Sequence, residues 1–306
     1  MVEVRTPALP ARHGHAAIAR RMTLLGAAGL LGIAGTLAIA TPASAAVITG
    51  VVRYDLESAA TAANKSVTIA CPAGKKVINA GGYIADGVGT VAMDDIFPNE
   101  TLEEVTVTGK ETDPTGVPWR VHAFATCADE PAGLEWIWTQ SEEDTDGVKS
   151  ITAECSPGKT LLGTGGTVEG GSGDVVIDEI KPNGGPGVAA TQVTVEAVEA
   201  DDYAGAWTVN ALAICADPLD GQQVISAETA PASVDDGIRA DCSAGQAATG
   251  SGVEIIGPAG HVVVDDAYPT DGSTSVEPTA TTVYGAEEDG TTANWSIKAF
   301  VICADI

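Results

Sequence analysis

Cationic side chains are scarce in this sequence. It has 15 Lys and Arg against 42 Asp and Glu over 306 residues. Four of those basic residues and one of the acidic ones lie in the first 45 positions, leaving 11 against 41 and a net charge near −30 for the rest. Nucleic acids, teichoic acids and anionic lipid headgroups are bound through Lys and Arg, so the scarcity excludes nucleic-acid binding first of all. It leaves two readings of the acidity: solubility outside a cell, and affinity for divalent cations.

Other absences narrow the chemistry. There is no C-x-x-C and no close Cys/His grouping, which argues against a structural zinc site. No G-K-[ST] opens a helix, so the glycines form no phosphate loop. No G-x-S-x-G accompanies the two histidines beyond residue 45, His122 and His261. No segment has helical periodicity, and no apolar tail follows Cys303, so membrane insertion is not expected. Aromatics make up only 4% of the residues, which makes the positions of the few that exist informative.

What is present is a repeat. Trp119-Arg120-Val121-His122-Ala123-Phe124-Ala125-Thr126-Cys127-Ala128-Asp129 returns as Trp207 to Asp217 and again as Trp295 to Asp305, 88 residues apart each time. Alternate positions are Trp, Val or Ile, Ala, Ala or Val, and Cys, the period of a strand with one face on a core. The Trp recurs in phase with the Cys, which marks it as a core residue and not a sugar-stacking platform. Further shared strands end on Cys71, Cys155 and Cys242. Next come turns with Gly74, Gly158 and Gly245 at the third position, then Gly-rich strands whose glycines mark a bulge or a close approach of backbones. About six short strands per copy predict an all-β protein of three tandem repeats, 46–130, 131–218 and 219–306, each a small β-sandwich or barrel. The repeats could sit as separate beads or pack about a pseudo-threefold axis as in a β-prism. Six strands and a private disulfide per copy favour beads.

Six cysteines allow 15 pairings. One early and one late Cys per copy select Cys71–Cys127, Cys155–Cys215 and Cys242–Cys303. By the chain-entropy argument each long loop so closed contributes on the order of 4 kcal/mol. The pairing fits an oxidising compartment, and so does the start of the chain. Arg5, Arg12, Arg20 and Arg21 precede an apolar stretch from Met22 to Ala40 and the small-residue site Thr41-Pro42-Ala43-Ser44-Ala45, the form of a signal peptide. The protein is expected to be secreted and extracellular. Arg20-Arg21 raises twin-arginine export, but the flanking residues fit that signal poorly.

The order of an opening aromatic or Val-rich strand, Cys-Pro-x-Gly-Lys at Cys71–Lys75, a Gly-Gly strand and a final Trp…Cys-Ala resembles a β module common in exported actinobacterial proteins. The third repeat departs from it at Gln246 and Ala247 and lacks the Gly-Gly pair. The resemblance implies compartment and fold, and brings no catalytic residue.

The recurring polar feature is an acidic pair, Asp94-Asp95, Asp178-Glu179 and Asp265-Asp266. Neighbouring strand residues face opposite ways, so at most one of each pair should face a given site unless the strand bends. Solvated strand ends or turn caps are the plain reading of these pairs, Ca²⁺ the cofactor alternative, and catalysis the remotest, since glycosidase carboxylates need a partner about 5–10 Å away. Asp144-Thr145-Asp146-Gly147 is a fragment of a calcium loop without its closing Glu and reads as a polar turn. Trp136 and Trp138 flank Ile137 on one strand face. Trp138 matches Tyr54 and Ser226 in the other copies, so the fold does not demand it; Tyr54, Trp136 and Trp138 are the candidate ligand-binding aromatics. The leading expectation is a secreted, non-catalytic protein with a structural or binding role toward an extracellular protein or glycan. A lectin-like or calcium-dependent binder is second and a secreted hydrolase third.

Overall fold

The computed structural model describes residues 46–271, 277–288 and 290–306, so the expected signal peptide lies outside the described residues. All regular structure in the described residues is β, in 18 strands. In the first repeat they are β1 (Val52–Glu57), β2 (Lys65–Ala70), β3 (Lys75–Ala85), β4 (Val91–Pro98), β5 (Glu104–Glu111) and β6 (Arg120–Asp129). The second holds β7 (Glu135–Gln140), β8 (Val148–Glu154), β9 (Thr160–Glu169), β10 (Val175–Pro182), β11 (Gln192–Glu199) and β12 (Thr208–Ala216). The third holds β13 (Gln223–Glu228), β14 (Asp236–Asp241), β15 (Gln246–Ile256), β16 (Val262–Thr270), β17 (Ala280–Glu287) and β18 (Ser296–Asp305).

Within each repeat two three-stranded layers face each other. In the first repeat β1, β6 and β3 form one layer and β2, β5 and β4 the other. Val67, Ile69, Val105 and Val107 meet Val121, Ala123 and Ala125 between them, all buried. The disulfides Cys71–Cys127, Cys155–Cys215 and Cys242–Cys303 join layer to layer, with Cα–Cα distances of 5.8, 5.8 and 5.7 Å. Each repeat is thus the expected small sandwich with its own disulfide.

The sandwiches are not beads. Every layer continues into a layer of another repeat, giving three six-stranded sheets. The first sheet runs β1-β6-β3-β16-β17-β14, the second β13-β18-β15-β10-β11-β8 and the third β2-β5-β4-β9-β12-β7. The joining pairs are short: Asp266 and Ala267 with Tyr83 and Gly82, Glu179 and Ile180 with Glu254 and Val253, Asp95 and Ile96 with Thr167 and Gly166. The three equivalent central strands β3, β9 and β15 touch one another, as do β4, β10 and β16. This is the pseudo-threefold, prism-like arrangement: one large core runs through all three repeats, and a small second cluster of Ala92, Val176, Val198, Val263 and Ala286 also draws on all three. The segment before β1 adds a link from the first repeat to the third: Ala46 bridges to Leu219, and the Ile48 N–H donates to the Asp305 carbonyl at 3.1 Å.

The glycine-rich strands exist because of these junctions. A Cβ on Gly81, Gly165 or Gly252 would lie 2.5 Å from the carbonyl oxygen of Ala267, Ile96 or Ile180 respectively, each in the neighbouring repeat. Only glycine lets the backbones approach so closely. Gly165→Ala is therefore expected to cost about 1–3 kcal/mol by overpacking. It should destabilise all three repeats together, read as a common loss of amide-exchange protection in β6, β12 and β18.

Each repeat also carries one tryptophan in the same setting. Trp119, Trp207 and Trp295 are buried, and their indole N–H groups donate to Glu111, Glu199 and Glu287 at 2.9, 3.3 and 3.0 Å. In the first two repeats a lysine caps the ring. Lys65 Nζ lies 3.3 Å from the Trp119 ring centre and Lys149 Nζ 4.3 Å from that of Trp207. These ammonium groups also meet backbone carbonyls, including that of Trp119 at 2.9 Å and of Asp144 at 2.8 Å. Asp144 in turn pairs with Lys149 at 2.7 Å and accepts the Asp146 N–H, so this segment is the polar turn expected.

Candidate functional site

A β-bulge brings each acidic pair to one side of its strand. The register of β4 on β5 shifts between Met93 and Asp95, of β10 on β11 between Ile177 and Glu179, and of β16 on β17 between Val264 and Asp266. The extra residue is Asp94, Asp178 or Asp265. A bulge turns two successive side chains the same way. The carboxyl group of Asp94 then lies against that of Asp95, and that of Asp265 against that of Asp266. The expectation that one member of each pair faces away is corrected by this bend. The pairs are not solvated strand ends either: Asp94 is 3% exposed and Asp265 4%.

Their environments differ. Burial pushes Asp94 up to about 8, and Lys110, 2.9 Å away, opposes the shift. Asp178 is raised to about 7 by burial and then by Glu196, Glu179 and Glu254. Lys181 meets Glu179 at 3.1 Å and Glu254 at 2.7 Å. Asp265 is raised by burial and then by Asp266, and Asp266 is raised to about 6 by burial. The three pairs lie in three different sheets. Among the described residues no three or more His, Cys, Asp or Glu side chains gather to hold a metal.

Cross-strand neighbours share a face, so each acidic pair belongs to a row across the outer side of its sheet. The second sheet's row is Glu228, Lys298, Glu254, Glu179 and Glu196. The third sheet's is Gln140, Asn210, Thr167, Asp95 and Thr108. The first sheet's is Glu57, His122, Tyr83, Asp266 and Tyr284. Backbone register is the same in all three; the chemistry is charged, then amide and hydroxyl, then aromatic and acidic.

The first sheet adds a second row of rings. Phe124 and Tyr268 stack with centroids 5.0 Å apart across Gly81, whose missing side chain leaves the space. Tyr83 stacks on His122 at 4.0 Å and lies 5.5 Å from Tyr268. Arg53 covers Phe124 at 5.4 Å and donates to the Pro269 carbonyl at 3.1 Å. His122 sits 3.4 Å from Glu57, and its basicity is lowered by burial despite that carboxylate. Tyr83, Tyr268 and Tyr284 all have raised pKa values, first from burial and then from neighbours that include Asp266. Tyr83, His122, Tyr268 and Tyr284 form a half-buried ledge in a negative field, and Phe124 is buried beneath it at 6% exposure.

The aromatics singled out from sequence divide. Tyr54 pairs with Ala125, whereas Asp55 pairs with Phe124, the counterpart of the Leu212 that faces Trp138. Trp138 therefore matches Asp55 and Ser226, and the match to Tyr54 is corrected by one residue. One residue of register reverses the face, so Tyr54 points into the core and is not a surface ligand-binding residue. Trp136 and Trp138 do share the outer face of the third sheet. Trp138 is 39% exposed, while Trp136 donates to the Pro98 carbonyl at 3.0 Å and is half-buried. Two residues further along β7, Gln140 borders a surface hollow of about 330 Å³ with Glu143, Glu169 and Thr208. His261 stands apart from all of these, exposed in the loop before β16.

Sequence reasoning missed Tyr83, Phe124, Tyr268 and Tyr284. For Tyr83 and Tyr284 the signal was failure to recur: Tyr83 stands where the other repeats have Thr167 and Glu254, and Tyr284 where they have Thr108 and Glu196. No protein-family profile matches the chain, and no curated protein matches it. The candidate site thus stands on its own geometry.

Proposed function

We propose that this chain is an exported, non-catalytic binding protein whose ligand platform is the outer face of the first sheet, and that the ligand is a carbohydrate. The observation that carries this reading is the gathering of Tyr83, His122 and Tyr268 on an outward face over the buried Phe124, beside Asp266 and Tyr284. Ring faces take the apolar C–H surface of a pyranose, and flanking carboxylates and hydroxyls take its hydroxyl groups. The platform joins two repeats, and its Tyr83, His122 and Tyr284 have no aromatic counterpart in the other copies, as expected of a function laid over a repeated scaffold.

Export is supported by the signal-like first 45 residues, by three disulfides and by the resemblance to exported actinobacterial modules. Among the described residues no helix is long and apolar enough to cross a membrane. A non-catalytic role is supported by the carboxyl geometry. Asp265 and Asp266 lie against each other instead of standing apart across a cleft as a glycosidase pair does.

Glycan-array binding of the secreted form is the test. Retention of a subset of glycans that is lost in Tyr83→Ala and Tyr268→Ala is expected, while Trp138→Ala keeps it. An array with no retained glycan overturns the carbohydrate reading. Loss only in Trp138→Ala moves the platform to the third sheet.

A further inference from the structure

We infer that Asp265 and Asp266 receive an ammonium group of the ligand, and that the ligand is an amino sugar with its amine free. This deepens the carbohydrate reading above and rests on it.

The argument comes from the repeats themselves. Each bulge places two acidic side chains together in a largely buried position, an arrangement that is costly without a cation. The first repeat supplies its own: Lys110 reaches Asp94 at 2.9 Å. So does the second: Lys181 lies between Glu179 and Glu254 at 3.1 and 2.7 Å. In the third repeat both lysines are replaced. Ala286 stands at the position of Lys110, because it pairs with Val263 as Lys110 pairs with Ala92. Tyr268 stands at the position of Lys181, because it pairs with Thr282 as Lys181 pairs with Thr194.

No Lys, Arg or His among the described residues forms a salt bridge with Asp265 or Asp266. Arg53, the nearest basic residue of the ledge, is held over Phe124 and against the Pro269 carbonyl. Arg239 is held by Asp241 at 2.7 Å. Asp265 is 4% exposed, and its Oδ1 has no hydrogen-bond partner; Asp266 Oδ1 has none either.

Around the third pair stand aromatic rings in place of a cation. Tyr83 and Tyr284 flank Asp266 on the two adjacent strands, and Tyr268 follows it by two residues on the same face. Carboxylates among rings form a receptor for a cation, because the ring faces and the acids both attract positive charge and the rings keep water away. The rings also supply the stacking surface that a sugar needs and a bare inorganic cation does not. A pyranose lying on the Tyr83–Tyr268 ledge with its amine toward Asp266 satisfies both halves of the site.

Calorimetry with a β-linked glucosamine tetramer and its fully N-acetylated counterpart tests the inference. The free-amine tetramer is expected to bind at least about tenfold more tightly. That preference should vanish in Asp266→Asn, which keeps the shape and removes the charge. It should also vanish in Tyr268→Lys, which gives the third repeat the lysine of the second. Asp95→Asn, on the third sheet, should leave it unchanged, and thermal melts show that each variant is folded. Equal affinity for the two tetramers, or a preference that survives in folded Asp266→Asn, overturns the ammonium inference and leaves the carbohydrate reading standing. Absence of binding by both tetramers, together with an array that retains no glycan, overturns the two together.

Discussion

Trp207→Ala is expected to lower stability by about 3–5 kcal/mol, the range for removing a buried tryptophan, and to unfold all three repeats in one transition. The ring is 1% exposed between the two layers of the second sandwich. It also anchors two charged groups: its N–H serves Glu199 at 3.3 Å and its face lies under Lys149. Lys149 is itself 7% exposed, so losing the ring leaves an ammonium over a cavity. Against a typical total of about 5–15 kcal/mol the loss is large. Trp207→Phe keeps an aromatic face beneath the lysine and gives up the bond to Glu199, so about a third of the effect is expected. Separate beads would confine the damage to residues 131–218. Shared sheets spread it, because β9 and β10 each carry a strand of another repeat. Hydrogen exchange separates these outcomes: protection should fall by similar factors in β6, β12 and β18. A loss confined to the second repeat would refute a common core.

The second large effect is a stability that falls as pH rises from about 4 to 8. Asp178, raised to about 7, and Asp94, raised to about 8, keep their protons in the folded protein at pH values where the unfolded chain has lost them. The folded state then binds more protons, so stability declines as pH increases through that window. The stabilising contribution is complete below pH 4 and gone above the folded values. For Asp178 the shift corresponds to at most about 4 kcal/mol at 1.36 kcal/mol per unit. The lowered values of Asp129, Asp144 and Glu103 act in the opposite sense but belong to exposed, screened groups. Urea midpoints at pH 5 and pH 8 test this: the protein should be more resistant at pH 5. Asp178→Asn should gain stability at pH 8 and flatten the profile. A midpoint that rises toward pH 8, or an Asp178→Asn variant with an unchanged slope, would count against it.

Both effects come from the repeated frame, and that frame was largely legible in the sequence. Alternation from Trp119 to Cys127, repeated at fixed spacing, gave the closing strand and its buried face. Paired cysteines in phase gave the disulfides, and the Gly-Gly strands announced close backbone approach. These are local properties: a period of two, a turn glycine and a thiol at a fixed offset depend on neighbours within a few residues or on the next copy of the same segment.

The site was not legible, for a geometric reason. Tyr83 belongs to the first repeat and Asp266, Tyr268 and Tyr284 to the third. They meet because β3 pairs with β16 through two residues. Strand edges carry no sequence label for their partner, since backbone hydrogen bonds are the same for every residue. A private disulfide and six strands per copy pointed to closed beads, because nothing in them records that each layer's edge pairs with another repeat. The bulges were hidden for the same reason: one extra residue in β16 reverses which acid faces Tyr83, and only the pairing with β17 reveals it. The sequence by itself determined three small β units, each a sandwich or barrel, with their buried faces and their crosslinks, because burial and alternation are written along the chain. The tertiary structure alone decided that their edges join, and hence which rings and carboxylates share a face.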